Sequence, residues 1–431
     1  MKNNNWRASG FSIVLICIVA FGCSTDSPVT GDETFTIVVI PDTQAMIDFR
    51  RQKAEGFAID SANIYIQQMQ HIASMGESNG GDVVFVASVG DVWQHATSRT
   101  DPDHEARGIR SREEVTHQLV QPTGTINFEI PKAVEGYQLI SDAEIPFGVA
   151  PGNHDYDAWW AVAGTQPNAR GRYPMHVGGL NNFRGAFGSD TDFFRDKDWY
   201  VSGFEGGGSS AQVFTTGGYR FLHLALEMHA GDHVVEWAQG VIDNFPGIPT
   251  IISTHDYLTP RGERLPDGFV AMDLASIDPE RNNSAEDLWQ EFISKTDQIF
   301  MVLSGHQPGQ DIRIDQNEYG HEVYQILANF QWRGQAAVDA GQPGGRAGRA
   351  AATGDGWFRE MIFHTLDDNP RVDVRTYSSY YESYSSELDT YAEWYKEAEQ
   401  PEMTDEQFHA ADEFIVELTD FHSRFGMPQD L

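Results

Sequence analysis

Five apolar, β-branched runs along the chain each end in a short polar motif. The runs are TFTIVVIP, DVVFVASV, IPFGVAP, PTIIS and QIFMVLS, and their composition is typical of buried strands. The motifs that follow them are, in order, Asp42-Thr43-Gln44, Gly90-Asp91, Gly152-Asn153-His154-Asp155, Thr254-His255-Asp256 and Gly305-His306. Strands that end in Asp, Asn and His gather oxygen and imidazole ligands along one sheet edge, which predicts a site for two divalent metals.

The segments between these runs differ in their predicted structure. Apolar residues at helical spacing predict helices over 57–75 and near 131–141. Charged residues from 100 to 114 predict an exposed insertion, and the Gly-, Asn- and Arg-rich stretch 161–211 predicts a long loop region. Gly217-Gly218 predicts the turn of a hairpin within QVFTTGGYRFLHLALE, and the spacing of the next apolar residues predicts a helix.

Three more strand-like runs follow His306, namely EVYQILA, GWFREMIF and RVDVRTYS. Strand–helix alternation in the early part and hairpins in the late part are typical of an α/β fold. We therefore predict two sheets packed face to face with helices outside, over residues 35–377.

The composition changes after Ser378, where Tyr, Glu and Ser dominate. Thr404 and Gln407 have the spacing of a capping box, and Gly426 with Pro428 gives a stop signal. Helical spacing in between is kept by Phe408, Ala411, Ile415 and Leu418. We predict an acidic helical extension over 378–431 that packs on the main domain; an interaction arm is the alternative.

The chain begins with a basic and then apolar segment that ends in Gly22-Cys23. This pattern predicts a lipoprotein signal peptide over 1–22, with Cys23 acylated and a polar tether over 23–34. The apolar run is too short for an ordinary spanning helix. An uncleaved anchor and plain secretion are the alternatives. The expected location is extracytoplasmic and lipid-anchored, at the outer membrane or surface of a bacterium.

Composition narrows the chemistry further. Both cysteines of the chain, Cys17 and Cys23, lie in the predicted leader, so the mature domain has no thiolate for a metal site or disulfide. The formal charge is −35, from 64 acidic and 29 basic residues. Such a surface repels nucleic acid and anionic membranes, and bound cations would have to reverse the potential locally for an anionic substrate.

Two cations held close together need a bridging ligand, and Asp91 is the candidate because it ends a strand directly after Gly90. Asp42 would complete one metal site. The other metal would take its ligands from Asn153, His255 and His306. His154 is placed to reach past the metals toward a substrate, and Asp155 is the candidate for orienting its imidazole and keeping it protonated.

The order of these motifs resembles that of the calcineurin-like metallophosphoesterases, whose pattern is D-x-H, G-D-x-x-D, G-N-H-[DE], a lone His and G-H-x-H. The resemblance covers about residues 34–377. It implies an α/β four-layer sandwich of two mixed sheets with helices outside, and a binuclear metal centre. It also implies in-line attack on phosphorus by a metal-bound hydroxide, with His154 helping the leaving group depart.

Three positions depart from the family pattern. Gln44 stands where the first motif has His, as in a family branch that has P-D-T-Q here; Gln94 replaces a carboxylate; and Pro308 replaces the last His. Both missing histidines belong to the same metal, which would keep Asp42, Asp91 and the Gln44 amide oxygen. We therefore expect two divalent ions (Mn, Mg, Ca, Fe or Zn), of which the first is weak, harder or absent.

Other residues near the motifs are open to more than one interpretation. His95 is a replacement ligand or a supporting residue, and Gln307 or Gln310 is a substitute for the missing His. Asp256 is a hydrogen-bond partner for a ligand His or a loop cap. For the remaining candidates ordinary packing or exposure is the main alternative to a role in the cleft: Trp159, Trp160, His223, His229 and His233.

The sequence thus predicts a metal-dependent hydrolase of a phosphate monoester or diester that acts outside the cytoplasm. Its expected partner is a phosphoester small molecule or a glycan or lipid phosphate, with no nucleic acid and with membrane contact through the anchor alone. The alternative is a degenerate surface binding protein that kept the fold and lost turnover. A structural lipoprotein that uses a metal for stability is a third possibility.

Overall fold

The computed structural model describes residues 34–112, 118–168, 171–264, 272–343 and 350–427. The predicted signal peptide, Cys23 and most of the tether lie outside this range. The strands are β1 Phe35–Ile40, β2 Val83–Ser88, β3 Phe147–Val149, β4 Ala158–Ala161, β5 Met175–Gly178, β6 Tyr200–Phe204, β7 Ser209–Thr216, β8 Tyr219–Ala225, β9 Thr250–Ser253, β10 Ile299–Ser304, β11 Gly309–Gln316, β12 Glu322–Asn329, β13 Trp357–His364, β14 Arg371–Ser378, β15 Ser383–Tyr384 and β16 Phe414–Glu417.

The helices lie between and after these strands. They are α1 Gln44–Ile47, α2 Ser61–Ser74, α3 Pro102–Ala106, α4 Pro122–Gly124, α5 Ile130–Asp142, α6 Asn181–Phe187, α7 Asp232–Asn244, α8 Leu274–Ile277, α9 Ala285–Leu288, α10 Gln335–Asp339, α11 Tyr391–Glu399, α12 Asp405–Asp412 and α13 Phe421–Phe425. No helix within the described ranges has the length and apolar character that crossing a membrane requires.

Two large mixed sheets organise the described residues. Sheet 1 has the order β15-β14-β13-β1-β2-β3, with β16 also paired to β14, and sheet 2 has the order β11-β12-β10-β9-β8-β7-β6. Neighbouring strands run parallel from β1 through β3 in sheet 1, and parallel through β8, β9, β10 and β12 in sheet 2. The outer strands pair antiparallel, so each sheet is mixed. The short strands β4 and β5 form a separate antiparallel pair.

The alternation of side chains along β1 explains the layers. Ile37 and Val39 point into a core shared with sheet 2, while Val38 and Ile40 contact α2 and α5 on the opposite face. The shared core includes Phe35, whose ring lies 5.0 Å from that of Phe363 and 5.6 Å from that of Phe221. The outer face of sheet 2 packs on α7 and α9. The fold is therefore an α/β sandwich of two sheets with helices outside.

The predicted strands before the five motifs and the hairpin β7–β8 are confirmed, as are the helices α2, α5 and α7. The prediction of a long loop over 161–211 is wrong, because β5, α6, β6 and the start of β7 lie there. Helix α6 forms because Phe183 and Phe187 pack against the ring of Trp93, so tertiary packing overrides the Gly- and Asn-rich composition. Strand β11 was not predicted.

The C-terminal segment is only partly helical. The capping box forms, with the Thr404 hydroxyl accepting from the Gln407 N–H at 3.2 Å. The predicted helix through Ile415 is wrong, since α12 ends at Asp412 and β16 follows it. The reason is that β16 pairs antiparallel with β14 and inserts Val416 into the core between the sheets, while Ile415 stays exposed.

Buried ion pairs attach this segment to the rest of the protein. Asp412 accepts hydrogen bonds from Arg333 at 3.3 Å, from Arg359 at 3.1 Å and from the Tyr391 hydroxyl at 2.5 Å. Arg333 also donates to both carboxylate oxygens of Glu399 at 3.0 Å. Asp412 and both arginines are fully buried, so the charges depend on one another for neutralisation.

Asp412→Asn is predicted to destabilise the protein by about 3–5 kcal/mol, because it leaves the buried Arg359 without its carboxylate partner. Urea denaturation at pH 7 measures the effect. Asp405→Asn is the matched control, since Asp405 pairs with Lys396 at the exposed start of the same helix and its loss changes little. Equal midpoints for the two variants would contradict the prediction.

His223 is buried where β8 faces the other sheet. Its Nδ1 and Nε2 atoms each lie 2.8 Å from a partner, Gln212 Oε1 and Ser253 Oγ. His223 therefore packs in the interior and does not line the cleft. Burial lowers the pKa of His223 to about 3, so the folded state keeps the ring neutral.

This burial predicts a pH dependence of stability. Below about pH 6.5 the unfolded chain protonates His223 while the folded protein does not, so stability falls as pH decreases from 6.5 toward 3, by up to about 1.4 kcal/mol per pH unit. His223→Gln keeps both hydrogen-bonding capacities and should flatten the curve of unfolding free energy in this window. The control His233→Gln changes an exposed ring and should leave the slope as it is. Parallel curves for the wild type and His223→Gln would overturn the prediction.

Candidate metal centre

The five polar motifs meet where parallel strands of both sheets end. Asp42 follows β1, Asp91 follows β2, and Asn153 follows β3; from sheet 2, His255 follows β9 and His306 follows β10. Carboxyl ends of parallel strands lie at the same sheet edge, and the sandwich brings the edges of the two sheets together. The folding of two separate sheets thus assembles one set of side chains.

The ligand atoms of this set lie close to one another. His255 Nε2 is 3.1 Å from Asp91 Oδ1, 3.1 Å from Asn153 Oδ1 and 3.2 Å from His306 Nδ1. The proton of His255 is on Nδ1, because that atom donates to the Val89 carbonyl at 2.8 Å. Nε2 therefore faces the cluster. Asp91 and His255, which are buried, form with the partly buried His306 a group that could hold a metal ion, as the sequence predicted.

The electrostatics of the cluster are those of charges removed from water. Burial raises the pKa of Asp42 well above its usual value, because it disfavours the charged carboxylate. The positive charge of His255 lowers this pKa in part, and the like charge of Asp91 raises it further. Burial also disfavours ionised Asp91, but His255 and His154 hold its pKa well below the usual range. Burial lowers the pKa of His255, yet Asp91 and Asp42 outweigh it and raise the pKa to about 10. A divalent cation would replace these compensating protons.

Two motif positions require glycine because the backbone there lies against an aspartate side chain. A Cβ on Gly152 would lie 2.3 Å from Asp91 Oδ1, and one on Gly305 would lie 2.3 Å from Asp42 Oδ1. Two residues of the cluster carry strain, since Asp91 after Gly90 (φ 54°) and His306 after Gly305 (φ 64°) adopt left-handed backbone at a cost of about 1–3 kcal/mol each. The fold thus positions both side chains by enforcing unfavourable backbone conformations.

The Asp42 side of the cluster is built from amides. Asp42 Oδ2 accepts from Asn329 Nδ2 at 2.8 Å and lies 3.5 Å from Gln331 Nε2. Gln44 donates its Nε2 to Asp91 Oδ2 at 2.9 Å and also to Gln331. The Gln44 Oε1 atom is buried without a hydrogen-bond partner, so it is an amide oxygen free to bind a cation beside two carboxylates.

Asn329 and Gln331 were missed in the sequence. The signal was present, because β12 is an apolar run that ends in Asn329, as the other five strands end in polar motifs. β12 also lies beside β10 and runs parallel to it, so its carboxyl end reaches the same edge. Asn329 therefore carries the same signal as the five motifs, namely a polar side chain at the end of an apolar strand.

His154 lies at the rim of the cluster, with its Nε2 3.8 Å from Asp91 Oδ2. The expectation that Asp155 orients its ring is wrong. The His154 Nδ1 instead lies 2.6 Å from the Gln94 carbonyl oxygen, which fixes the proton on Nδ1. The Asp155 carboxylate accepts from backbone N–H groups of Val92, Trp93 and Gly152 at 2.8–3.3 Å, and so joins the second motif to the third.

Burial lowers the pKa of His154, and the Asp91 charge opposes this effect. Burial and the same Asp91 charge raise the pKa of Asp155 to about 8, although backbone N–H groups lower it. The ring of Trp159 packs edge-on against the ring of His154 at 4.3 Å between centroids, so Trp159 forms part of the wall at this rim.

The other candidates fall outside the ligand set. His95 is not part of the Asp91 group; its Nδ1 lies 2.7 Å from Glu129 Oε1, and it lies beside Glu129 and Asp48 instead. Asp256 lies 3.8 Å from His306 Nε2 and accepts from Gln307 at 3.2 Å, so it is placed to orient His306. Gln310 accepts from Arg333, His229 lies 3.5 Å from Asp256, and His233 is exposed.

No family model matches the chain. Among curated proteins it is similar to an uncharacterized protein, YvnB, of Bacillus subtilis (strain 168), with 24% identity over 248 residues. The match covers 56% of this chain and 15% of the relative, so the chain spans a small part of that protein's length.

Gly152→Ala is predicted to weaken metal binding about 10–100-fold, because the new Cβ would displace the Asp91 carboxylate from its position. Mn²⁺ binding by isothermal titration calorimetry measures the change. Gly240→Ala on α7, whose Cβ would meet no atom within 4 Å, is the matched control. Equal affinities in both variants, with both folded by circular dichroism, would exclude the proposed position of the metal.

Proposed function

We propose that this protein is a metal-dependent phosphoester hydrolase with a calcineurin-like metallophosphoesterase fold. The observation that carries the proposal is the group of buried Asp91 and His255 with partly buried His306, which has His154 at its rim. The strand order and the layers of the sandwich are compatible with that fold. The motif order along the chain supports the same family.

The donor set is suited to two hard or borderline divalent ions. Asn153, His255 and His306 would hold one ion with Asp91, and Asp42 with the orphaned Gln44 Oε1 would hold the other. When bound, such ions supply Lewis-acid stabilisation of charge on a phosphoryl group and lower the pKa of water. The set of Asp42 and Gln44 lacks imidazole, so it would bind Mn, Mg or Ca in preference to zinc.

His154 is the residue that would protonate the leaving oxygen. Since its Nδ1–H donates to the Gln94 carbonyl, its Nε2 is the atom that carries and delivers the proton toward the open rim. The backbone N–H of His154 also donates to Asp91 Oδ1 at 2.9 Å, so the position of the acid follows that of the metal-binding carboxylate. Asp155 holds the second and third motifs together through its hydrogen bonds, and we propose it as a positioning residue.

The proposed setting is extracytoplasmic, with Cys23 as the lipid anchor. The proposed substrate is a small phosphoester or a glycan or lipid phosphate, because the charge of −35 opposes long nucleic acid. A metal-dependent binding protein is the second candidate. It is favoured by one observation, namely that the side chains that hydrogen-bond Asp42 are amides rather than histidine rings.

The test is hydrolysis of bis(p-nitrophenyl) phosphate and p-nitrophenyl phosphate by the purified protein with Mn²⁺, Mg²⁺, Ca²⁺, Zn²⁺ or chelator. We expect metal-dependent turnover that falls about 10²–10⁴-fold in His154→Ala, because the leaving group loses its acid. The preferred ester distinguishes a monoesterase from a diesterase.

His233→Ala is the control, since this exposed histidine lies outside the cluster and should leave turnover unchanged. Metal binding that persists in His154→Ala would show that the loss is one of chemistry. Tight metal binding without turnover on either ester or on a panel of glycan and lipid phosphates would favour the binding protein instead.

A further inference from the structure

A second group of potential metal ligands lies outside the centre described above. It consists of His104 on α3, His176 on β5 and Asp278 directly after α8. These residues come from three segments that are distant in the chain. His176 and Asp278 are buried, and the His104 side chain is 12% exposed, which leaves a path for an ion.

The distances suit a small tetrahedral ion. Asp278 Oδ2 lies 3.6 Å from His104 Nε2 and 3.9 Å from His176 Nε2, and the three ligand atoms lie within 4.8 Å of one another. Zinc bonds of about 2.0–2.2 Å place tetrahedral ligands roughly 3.4 Å apart, so a small inward movement closes the site. The two imidazole rings are nearly perpendicular, at 85°.

The proton on His104 is already placed for metal binding. Its Nδ1 lies 2.5 Å from Asp101 Oδ2, and a carboxylate in this position accepts the Nδ1 proton. Nε2 is then left with its lone pair toward Asp278. This carboxylate–histidine arrangement is the one that orients histidine ligands of metals in proteins. Gly178 permits it, because a Cβ there would lie 2.6 Å from Asp101 Cβ and 2.8 Å from His104 Nδ1.

His176 supplies an independent observation. It is 1% exposed, and neither of its ring nitrogens has a hydrogen-bond partner. Leaving a buried polar group without a partner costs about 1–3 kcal/mol. Its Nε2 faces Asp278 Oδ2 at 3.9 Å, which is too long for a hydrogen bond and suitable for two ligands of one ion.

We propose that His104, His176 and Asp278 form a zinc site that cross-links three segments of the fold, separate from the centre at Asp91. Two imidazoles and one carboxylate match the ligands that zinc takes in proteins, and water would complete the tetrahedron. Arg107 donates to both oxygens of Asp278, at 2.8 and 2.7 Å. A carboxylate has about four lone-pair positions, so Oδ2 can bind the ion while Arg107 keeps its own contacts.

The site would cross-link segments that flank the rim of the first centre. The ring of Trp160 packs against His176 at 5.2 Å and against His104 at 5.6 Å. Its neighbour Trp159 packs against His154 from the other face of the same strand β4. Zinc at His104 would therefore hold α3 against the β4–β5 pair and stiffen the wall beside His154.

The test is the amount of zinc retained after loading the full-length protein with Zn²⁺ and removing free metal by gel filtration. We expect His176→Gln and His104→Gln each to retain one equivalent less than the wild type and to melt at a lower temperature with zinc. His233→Gln should match the wild type. Asp91→Asn, which damages the first centre, should keep the equivalent that the two histidine variants lose.

Three results would overturn the proposal: zinc content equal to that of the wild type in His104→Gln, loss of all zinc in Asp91→Asn, or melting of His104→Gln that responds to zinc as the wild type does. Circular dichroism reports whether His176→Gln folds. If it does not fold, His104→Gln decides the question, because His104 lies at the partly exposed edge of the group. As a second measurement, the visible spectrum of Co²⁺-loaded Asp91→Asn should show tetrahedral coordination. A spectrum without the tetrahedral bands would contradict the proposed site.

Discussion

The burial of two carboxylates at one sheet edge is the constraint on which the rest of the structure depends. Asp42 and Asp91 are each 1% exposed at the ends of neighbouring parallel strands. Desolvating a pair of like charges costs several kcal/mol per ion unless positive charge and hydrogen bonds compensate. Amide donors reach Asp42 from β12, while His255 and the His154 N–H reach Asp91. Both sheets are needed to supply these partners, so the site and the sandwich require each other.

This constraint also accounts for the backbone around the carboxylates. Glycine at 152 and 305 leaves room for a carboxylate oxygen where any side chain would collide with it. Asp91 and His306 adopt left-handed backbone at the two strand ends where their side chains join the cluster. The stability lost to strain there is offset by the apolar cores on both faces of each sheet.

Local pattern predicted the strands and the strand-end residues well, because an apolar β-branched run followed by Asp, Asn or His carries both signals in adjacent positions. It failed where packing between distant segments decides the outcome. Helix α6 forms in a glycine-rich stretch because Phe187 reaches Trp93, and β16 forms because β14 offers an edge. The orientation of His154 by the Gln94 carbonyl was also out of reach, since a backbone oxygen has no signature in the sequence.

The two halves of the proposed centre differ because different strand ends build them. The ends of β9 and β10 contribute imidazole, whereas the ends of β1 and β12 contribute a carboxylate and amides to the Asp42 side. Imidazole binds borderline ions well and amide oxygen binds hard ions, so under the proposal the two halves would prefer different classes of ion. Amides also add no charge, so Asp42 and Asp91 alone must neutralise an ion there. Under the proposal, occupancy of the Asp42 side would therefore depend on the ionic conditions, whereas the half with His255 and His306 would keep its ion.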